Sequence, residues 1–283
     1  MSEAVPQTST NGTTTNGTTT NGTTTASTST ATSSTKPSLT ATQKFAAADE
    51  QYAARLSGLS QGERSLLGLP YLCTDAQLTV QRLRARQLEY DYNHSRPGPS
   101  PPTPSRCGTL ETDPTLNDVS NAQRTAILSD LFHLDPQQAK RIFIEPPLHV
   151  DFGFNVAFKG DFYANAGLVI LDVAPVSIGH GVLFGPAVHI YAATHSVSVT
   201  ERASGYERAL PVAIGDDCWI GGNVCIMAGV TIGRGCTIGA GSVVTRDIPD
   251  WSVAVGNPAR VVKTLTEDER GLKLEGKSGA VPF

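Results

Sequence analysis

Among the six histidines of this 283-residue chain, His195, in the run AATHS, is the one whose surroundings point to chemistry. A neutral imidazole with a pKa near 6.5 can take the proton of a hydroxyl group at neutral pH, so a surface histidine at the start of a long loop could act as a general base. Asn165, in the run FYAN, carries an amide that could donate to a developing oxyanion; its plain alternative is a corner asparagine in the αL region. Arg246, Arg260 and Lys263 suit phosphate groups, where a guanidinium binds in a forked geometry, or they form an ordinary solvated charge run. Zinc is a competing chemistry, because His180, His189 and His195 could be ligands at about 2.1 Å.

The element that must position these groups is a stretch with a period of six. From Ile214 the chain reads IGDDCW, IGGNVC, IMAGVT, IGRGCT, IGAGSV and VTRDIP, which sets an aliphatic residue at 214, 220, 226, 232, 238 and 244. The fifth places hold Cys218, Val224, Val230, Cys236, Ser242 and Ile248. Neither a helical period of 3.6 nor one long strand explains this, whereas hexapeptide repeats coiled as a parallel β-helix do. Alternation along a strand turns places five and one inward and places six and two outward. Gly221, Gly233 and Gly239 are expected to relax the corners.

Ile178, Phe184 and Ile190 keep the spacing upstream, as do Phe158, Ala164 and Ile170 after a two-residue slip. Residues 191–213 are then a loop leaving a coil that runs from about 155 to 250. One turn takes about three hexapeptides, and no two of His180, His189 and His195 are 18 apart, so they do not stack as a zinc site would require.

The rest of the chain surrounds that coil. Composition, 39% apolar and 17% charged with net charge −4, is that of a soluble protein with one sizeable core. No apolar run reaches the roughly 18 residues of a membrane span, and the N-terminal residues lack the charged and apolar regions of a signal peptide, so a cytoplasmic protein is expected. Residues 1–40 repeat TNGTT and are expected to be disordered; the sequons at Asn11, Asn16 and Asn21 follow from that repeat.

Residues 41–95 read as a helical subdomain. Thr74 and Gln77 form a capping box for a helix over 75–93 with Leu78, Leu83, Leu88 and Tyr92 on its apolar side and Arg82, Arg84 and Arg86 on a solvated face. That basic run in an acidic protein does not indicate nucleic acid. Residues 96–119 are a Pro- and Ser-rich loop. In 120–145, Ser120 with Gln123 caps a helix whose Ile127, Leu128, Leu131 and Phe132 make one stripe and which Pro136 ends. The β-helix domain occupies 146–265, and 266–283 is a flexible tail. Five cysteines is an odd number, and the two in inward places, Cys218 and Cys236, are packing residues, not disulfides or nucleophiles.

Taken together, GLPYLCTDAQLTVQRLRARQLEYDYNHS (68–95), FYAN, ILDVAP, HIYAATHS, IGDDCWIGG, IGAGSVVTRDIP and VGNPARVV resemble the maltose and galactoside O-acetyltransferases, the maltose type most of all. The resemblance spans about 60–95 and 120–265. It implies a mainly β fold, a left-handed parallel β-helix behind a small N-terminal helical subdomain and a disordered tail. It also implies a homotrimer with active sites at subunit interfaces, and transfer of acetyl from acetyl-CoA to a hydroxyl of a maltose- or glucose-type sugar, with no metal.

On that resemblance His195 is the general base and Asn165 its catalytic companion, while Tyr163 and Asp172 touch the acceptor or hold the imidazole. Gly222 and Ala240 leave room for a pantetheine arm, and Thr245, Arg246, Arg260 and Lys263 contact CoA. Trp219 faces outward and could pack between subunits. A leaving thiolate of pKa about 8.5 needs little acid assistance, so one base suffices for direct transfer in a ternary complex. Where the galactoside enzyme binds its acceptor through Asp, Ser and Asp, this chain has Cys73, Asp151 and Val173. A catalytically silent hexapeptide scaffold and a γ-carbonic-anhydrase-like zinc trimer are the alternatives.

Overall fold

The computed structural model describes residues 39–97 and 119–271, so the TNGTT repeat, its sequons, Cys107 and most of the Pro-rich loop and C-terminal tail lie outside the described residues. Short strands stack in parallel on three faces. Face 1 holds Val156–Phe158, Val176–Ile178, Val212–Ile214 and Thr231–Ile232. Face 2 begins at Ile142–Ile144 and continues through Phe162–Ala164, Val182–Phe184, Trp219–Ile220, Thr237–Ile238 and Ser252–Val255, with Arg260–Thr264 closing it antiparallel. Face 3 holds Leu148–Val150, Leu168–Leu171, His189–Tyr191, Cys225–Ile226 and Val243–Val244. The coil therefore starts two strands earlier than the expected 155.

The six-residue register is realised as read. Ile214, Ile220, Ile226, Ile232, Ile238 and Val244 are buried, as are Cys218, Val224, Val230, Cys236 and Ser242 between them. Burying one such aliphatic side chain contributes about 1.5–3 kcal/mol, so a column repeated on three faces is the main source of stability. The inward thiols of Cys218 and Cys236 donate to the carbonyls of Gly233 and Pro249 at 3.0 Å, consistent with packing roles. Trp219 does point outward and is 54% exposed.

The corner glycines act by a different route from the one expected. None of Gly221, Gly233 and Gly239 has positive φ; those angles fall nearby, at Asp217, Asn223, Gly229, Gly235 and Gly241. What Gly221 requires is closeness, because a Cβ there would sit 2.6 Å from the backbone N of Ala240.

The coil is not uniform around its girth. Leu148 pairs with Leu168 and Val169 with His189, 20 apart, whereas Trp219 pairs with Thr237 and Cys225 with Val243, 18 apart. The two extra residues fall each time between faces 3 and 1, at 151–155 and 172–175. The same corner carries the long excursion, yet Val212 still pairs directly with Val176.

That excursion is structured. It contains strand Ala193–Thr194, helix Val199–Ala203 and strand Tyr206–Ala209, and the last strand pairs antiparallel with both Ala193–Thr194 and Tyr71–Leu72. A three-stranded sheet thus joins the helical region to the coil.

In the helical region, α1 (Ala41–Tyr52), α2 (Gln61–Leu66), α3 (Ala76–Asn93) and α4 (Ala122–Phe132) differ from expectation at their ends. Asp75, not Thr74, caps α3, accepting from the N–H groups of Gln77 and Leu78 at 3.0 and 3.2 Å. Asn121, not Ser120, caps α4, and His133 in the αL region ends it. Pro136 opens the next short helix, α5 (Pro136–Ala139), where its missing N–H costs nothing.

Leu78 and Tyr92 are buried but Leu83 is exposed; Ala85 and Glu89 take the inner face instead. Arg82 and Arg84 are not simply solvated. Arg82 donates to the Cys73 carbonyl and lies over the Phe152 ring, and Arg84 pairs with Asp130 at 2.5 Å. Among the described residues no helix is long and apolar enough to cross a membrane.

Candidate active site

The corner between faces 3 and 1 gathers Asp151, Asp172 and His195 on successive coils. Each follows the face-3 strand of its coil, so the side chains that could do chemistry share one edge with the two insertions and the excursion.

His195 is exposed and sits at the mouth of the excursion. The pairing of Ala193 with Ala209 and Thr194 with Arg208 ends one residue before His195, and Glu207 is the next residue along the partner strand. Glu207 is opposite Tyr71, whose hydroxyl donates to its Oε2 at 2.9 Å. Sequence reasoning missed Glu207, because the pairing of 206–209 with 193–194 and with 71–72 is made only in the fold.

His195 also lines a cleft of about 340 Å³. Phe45, Ala46 and Asp49 of α1 form its opposite wall. Arg208 secures that wall, donating to both oxygens of Asp49 at 3.0 Å and to Glu201 at 2.8 Å, with its guanidinium 5.2 Å from the centre of the Phe45 ring.

Asp172 is fully buried. Its Oδ1 accepts from the N–H groups of Asp151 and Phe152 at 3.0 and 2.8 Å, and Oδ2 from that of Asn155 at 3.3 Å. Burial pushes its pKa up to about 7, against the pull of the Phe152 and Asn155 N–H donors. In this chain the Asp172 carboxyl is thus occupied by the backbone of the widened corner.

Asp151 beside it is raised by burial, with Arg82 and Arg86 pulling the other way. The Cys73 thiol is raised by burial and by its hydrogen bond to Glu207, which keeps it protonated and a poor nucleophile. Val173 is buried in the core.

The corner between faces 2 and 3 holds the other expected group. Asn165 follows strand Phe162–Ala164; its Nδ2 donates to the Phe184 carbonyl at 3.2 Å, and its Oδ1 accepts from the Tyr163 hydroxyl at 3.4 Å. The Tyr163 hydroxyl has one proton, and its shorter contact is to the Glu145 carboxylate, so it stands beside the Asn165 amide as a weak partner. Gly222 and Ala240 stack further along the same corner, and Arg260 lies beside it, opposite Val255. A Cβ on Gly222 would meet Pro186 at 3.1 Å, a tight contact that favours a small residue there. Thr245 and Arg246 instead follow Val244 on the corner of His195, and the Lys263 ammonium is already paired with Glu269.

Within one chain, then, His195 and Asn165 stand at different corners. The three histidines are also apart: His180 is 3.8 Å from Asp161, His189 shares a 2.7 Å hydrogen bond with the Tyr191 hydroxyl, and neither lies at the corner of His195. Among the described residues, no three His, Cys, Asp or Glu side chains gather as a metal-ligand set.

A helical cap joined through a strand to a hexapeptide-built parallel β-helix defines the class of protein. Residues 64–133 match the maltose acetyltransferase hexapeptide capping motif, and 211–246 the hexapeptide repeat of succinyl-transferase. A putative acetyltransferase of Schizosaccharomyces pombe is 37% identical over 213 residues, covering 73% of this chain and 92% of its own. The crystal structure of a maltose O-acetyltransferase from Clostridium difficile superposes with a TM-score of 0.61 at 37% identity, over 74% of this chain and 99% of that one. A hexapeptide-repeat acetyltransferase of Vibrio cholerae, complexed with acetyl coenzyme A, gives 0.58 at 30%, over 74% and 100%. The chain belongs to the hexapeptide-repeat acetyltransferase family that includes the maltose O-acetyltransferases.

Proposed function

We propose that this chain is an acetyl-CoA-dependent O-acetyltransferase whose acceptor is a hydroxyl of a maltose- or glucose-type sugar, with His195 as general base. The observation that carries the reading is the placement of His195: an exposed residue lining a cleft, at the mouth of the excursion that leaves the one corner where the coil has been widened.

In this scheme His195 accepts the hydroxyl proton as the hydroxyl oxygen attacks the thioester carbonyl. The amide of Asn165, held by its hydrogen bond to the Phe184 carbonyl, donates its second N–H to the carbonyl oxygen as charge develops on it. Collapse breaks the carbon–sulfur bond, and His195 returns the proton to the thiolate. Asp151 and Cys73, at the same corner, face the acceptor; the protonated thiol of Cys73 favours direct transfer over an acetyl-cysteine intermediate.

Because His195 and Asn165 stand at different corners of one chain, the working unit is a homotrimer in which one chain's corner between faces 3 and 1 meets the next chain's corner between faces 2 and 3. Residues for CoA divide the same way, with Thr245 and Arg246 on one side and Gly222, Ala240 and Arg260 on the other. Lys263 joins them only by leaving Glu269. The outward Trp219 is available to pack between subunits.

The test is thiol release by the purified full-length protein with acetyl-CoA against mono-, di- and amino-sugars. Replacing His195 with Ala should lower turnover by about a hundredfold or more while CoA still binds by calorimetry. Unchanged turnover would remove the imidazole from the mechanism, and failure of the wild type to bind CoA would leave only a scaffold.

A further inference from the structure

The stretch that carries His195 has no core of its own. None of residues 193–208 is fully buried, and neither is any residue of α1, so apolar packing does not decide how the excursion sits. A series of charged hydrogen bonds holds it instead. Both oxygens of Asp49, on α1, accept from the Arg208 guanidinium at 3.0 Å, and Arg208, whose side chain is 11% exposed, donates through Nε to Glu201 on the short helix Val199–Ala203 at 2.8 Å. The next residue of that helix, Arg202, donates to the carbonyls of Ser196 and Val197 at 2.8 and 3.0 Å. Those are the two residues that follow His195, so a relay that starts on α1 ends on the backbone of the histidine's own loop. Elsewhere on α1, Lys44 donates to the Gly229 carbonyl, which ties the helix to the coil. The capping-motif match starts only at residue 64, so α1 stands outside it.

We infer, with His195 as the base, that Arg208 is a positioning residue and α1 the brace that sets it. Asp49 fixes the guanidinium, and the guanidinium, through Glu201 and Arg202, fixes the turn that presents His195 to the cleft. The position calls for arginine because its planar fork can hold carboxylates from two separate elements at once.

Asp49→Ala, Asp49→Glu and Arg208→Lys, each in the full chain, are compared with wild type by thiol release from acetyl-CoA with glucose and with maltose. Asp49→Ala should lower kcat about tenfold, the effect of displacing a reacting group by a fraction of an ångström, with KM for acetyl-CoA unchanged. Arg208→Lys keeps the charge but not the fork and should lose as much. Asp49→Glu should recover most of the wild-type rate.

Amide hydrogen exchange of the free protein is a readout independent of turnover. In Asp49→Ala, residues 196–209 should exchange about tenfold faster, while the coil strands and the denaturant midpoint stay as in wild type. A wild-type kcat for Asp49→Ala, or unaltered exchange over 196–209, would overturn the relay. So would lost turnover with faster exchange throughout the coil, since Asp49 would then act on stability alone. If neither sugar is acetylated but the local exchange difference appears and Asp49→Glu reverses it, the brace stands and the transferase reading falls.

Discussion

The two corners that flank face 3 are built from the same strands under opposite rules. Between faces 2 and 3 the backbone repeats with little slack: a Cβ on Gly185 would fall 2.5 Å from the N of Gly222, and one on Gly221 2.6 Å from the N of Ala240. Between faces 3 and 1 the chain adds two residues in each of two coils. It then takes 24 residues from Ile190 to Ile214 where a plain corner takes six. The first corner is a smooth, small-residue ridge, and the second carries a histidine, carboxylates and a sheet shared with the helical cap.

The difference shows how a repeat accommodates a site. An excursion that leaves and rejoins at one corner disturbs no parallel pair, so new side chains can be added there at little cost in core packing. The opposite corner is useful because it does not vary, offering a close-packed edge against which another chain can lie.

The largest test of this contrast mixes two inactive chains. His195→Ala and Asn165→Ala should each lose about a hundredfold or more of turnover alone. Co-refolded in equal amounts, they should recover about a quarter of wild-type activity, because in random trimers one interface in four pairs an intact His195 with an intact Asn165. No recovery would mean that the two corners do not meet across chains.

A second test concerns stability. Gly221→Val forces a side chain into the neighbouring coil's backbone and should cost roughly 3 kcal/mol or prevent folding, measured by denaturant unfolding. A wild-type midpoint for that variant would show that the smooth corner has more slack than its stacking implies.

The smallest effect is a pH dependence at the widened corner. Asp172 titrates near 7 when folded, against an ordinary 3.8, so between about pH 4 and 7 the folded chain holds a proton that the unfolded chain has released. Its contribution to stability therefore falls as pH rises through that window. Asp172→Asn cannot ionise, so its melting temperature relative to wild type should climb from pH 4 to 7. A flat difference would mean that the carboxyl does not carry the proton.

Much of this was legible in the residues. A period of six over Ile214 to Val244 named the coil, its inward columns and the exit point at 191, because aliphatic side chains in a narrow core tolerate no change of spacing. His195 and Asn165 stood out for their residue type beside corners. Helix ends were less legible: Asp75 and Thr74, or Asn121 and Ser120, are chemically equivalent caps one residue apart, and only backbone dihedrals choose between them. Leu83 and Arg82 exchanged their expected roles because α3 packs against the coil and α4, which its own periodicity does not reveal.

Glu207 and α1 belong wholly to the folded chain. Their sequence distance from the cap and from His195 says nothing about contact; antiparallel pairing of 206–209 with both Tyr71–Leu72 and Ala193–Thr194, and the Arg208 ion pairs, make those contacts. Local patterning dictates the coil because each hexapeptide meets only its stacked neighbours. The contents of the cleft arise from long-range pairings, whose partners are set by packing and charge, not by spacing along the chain.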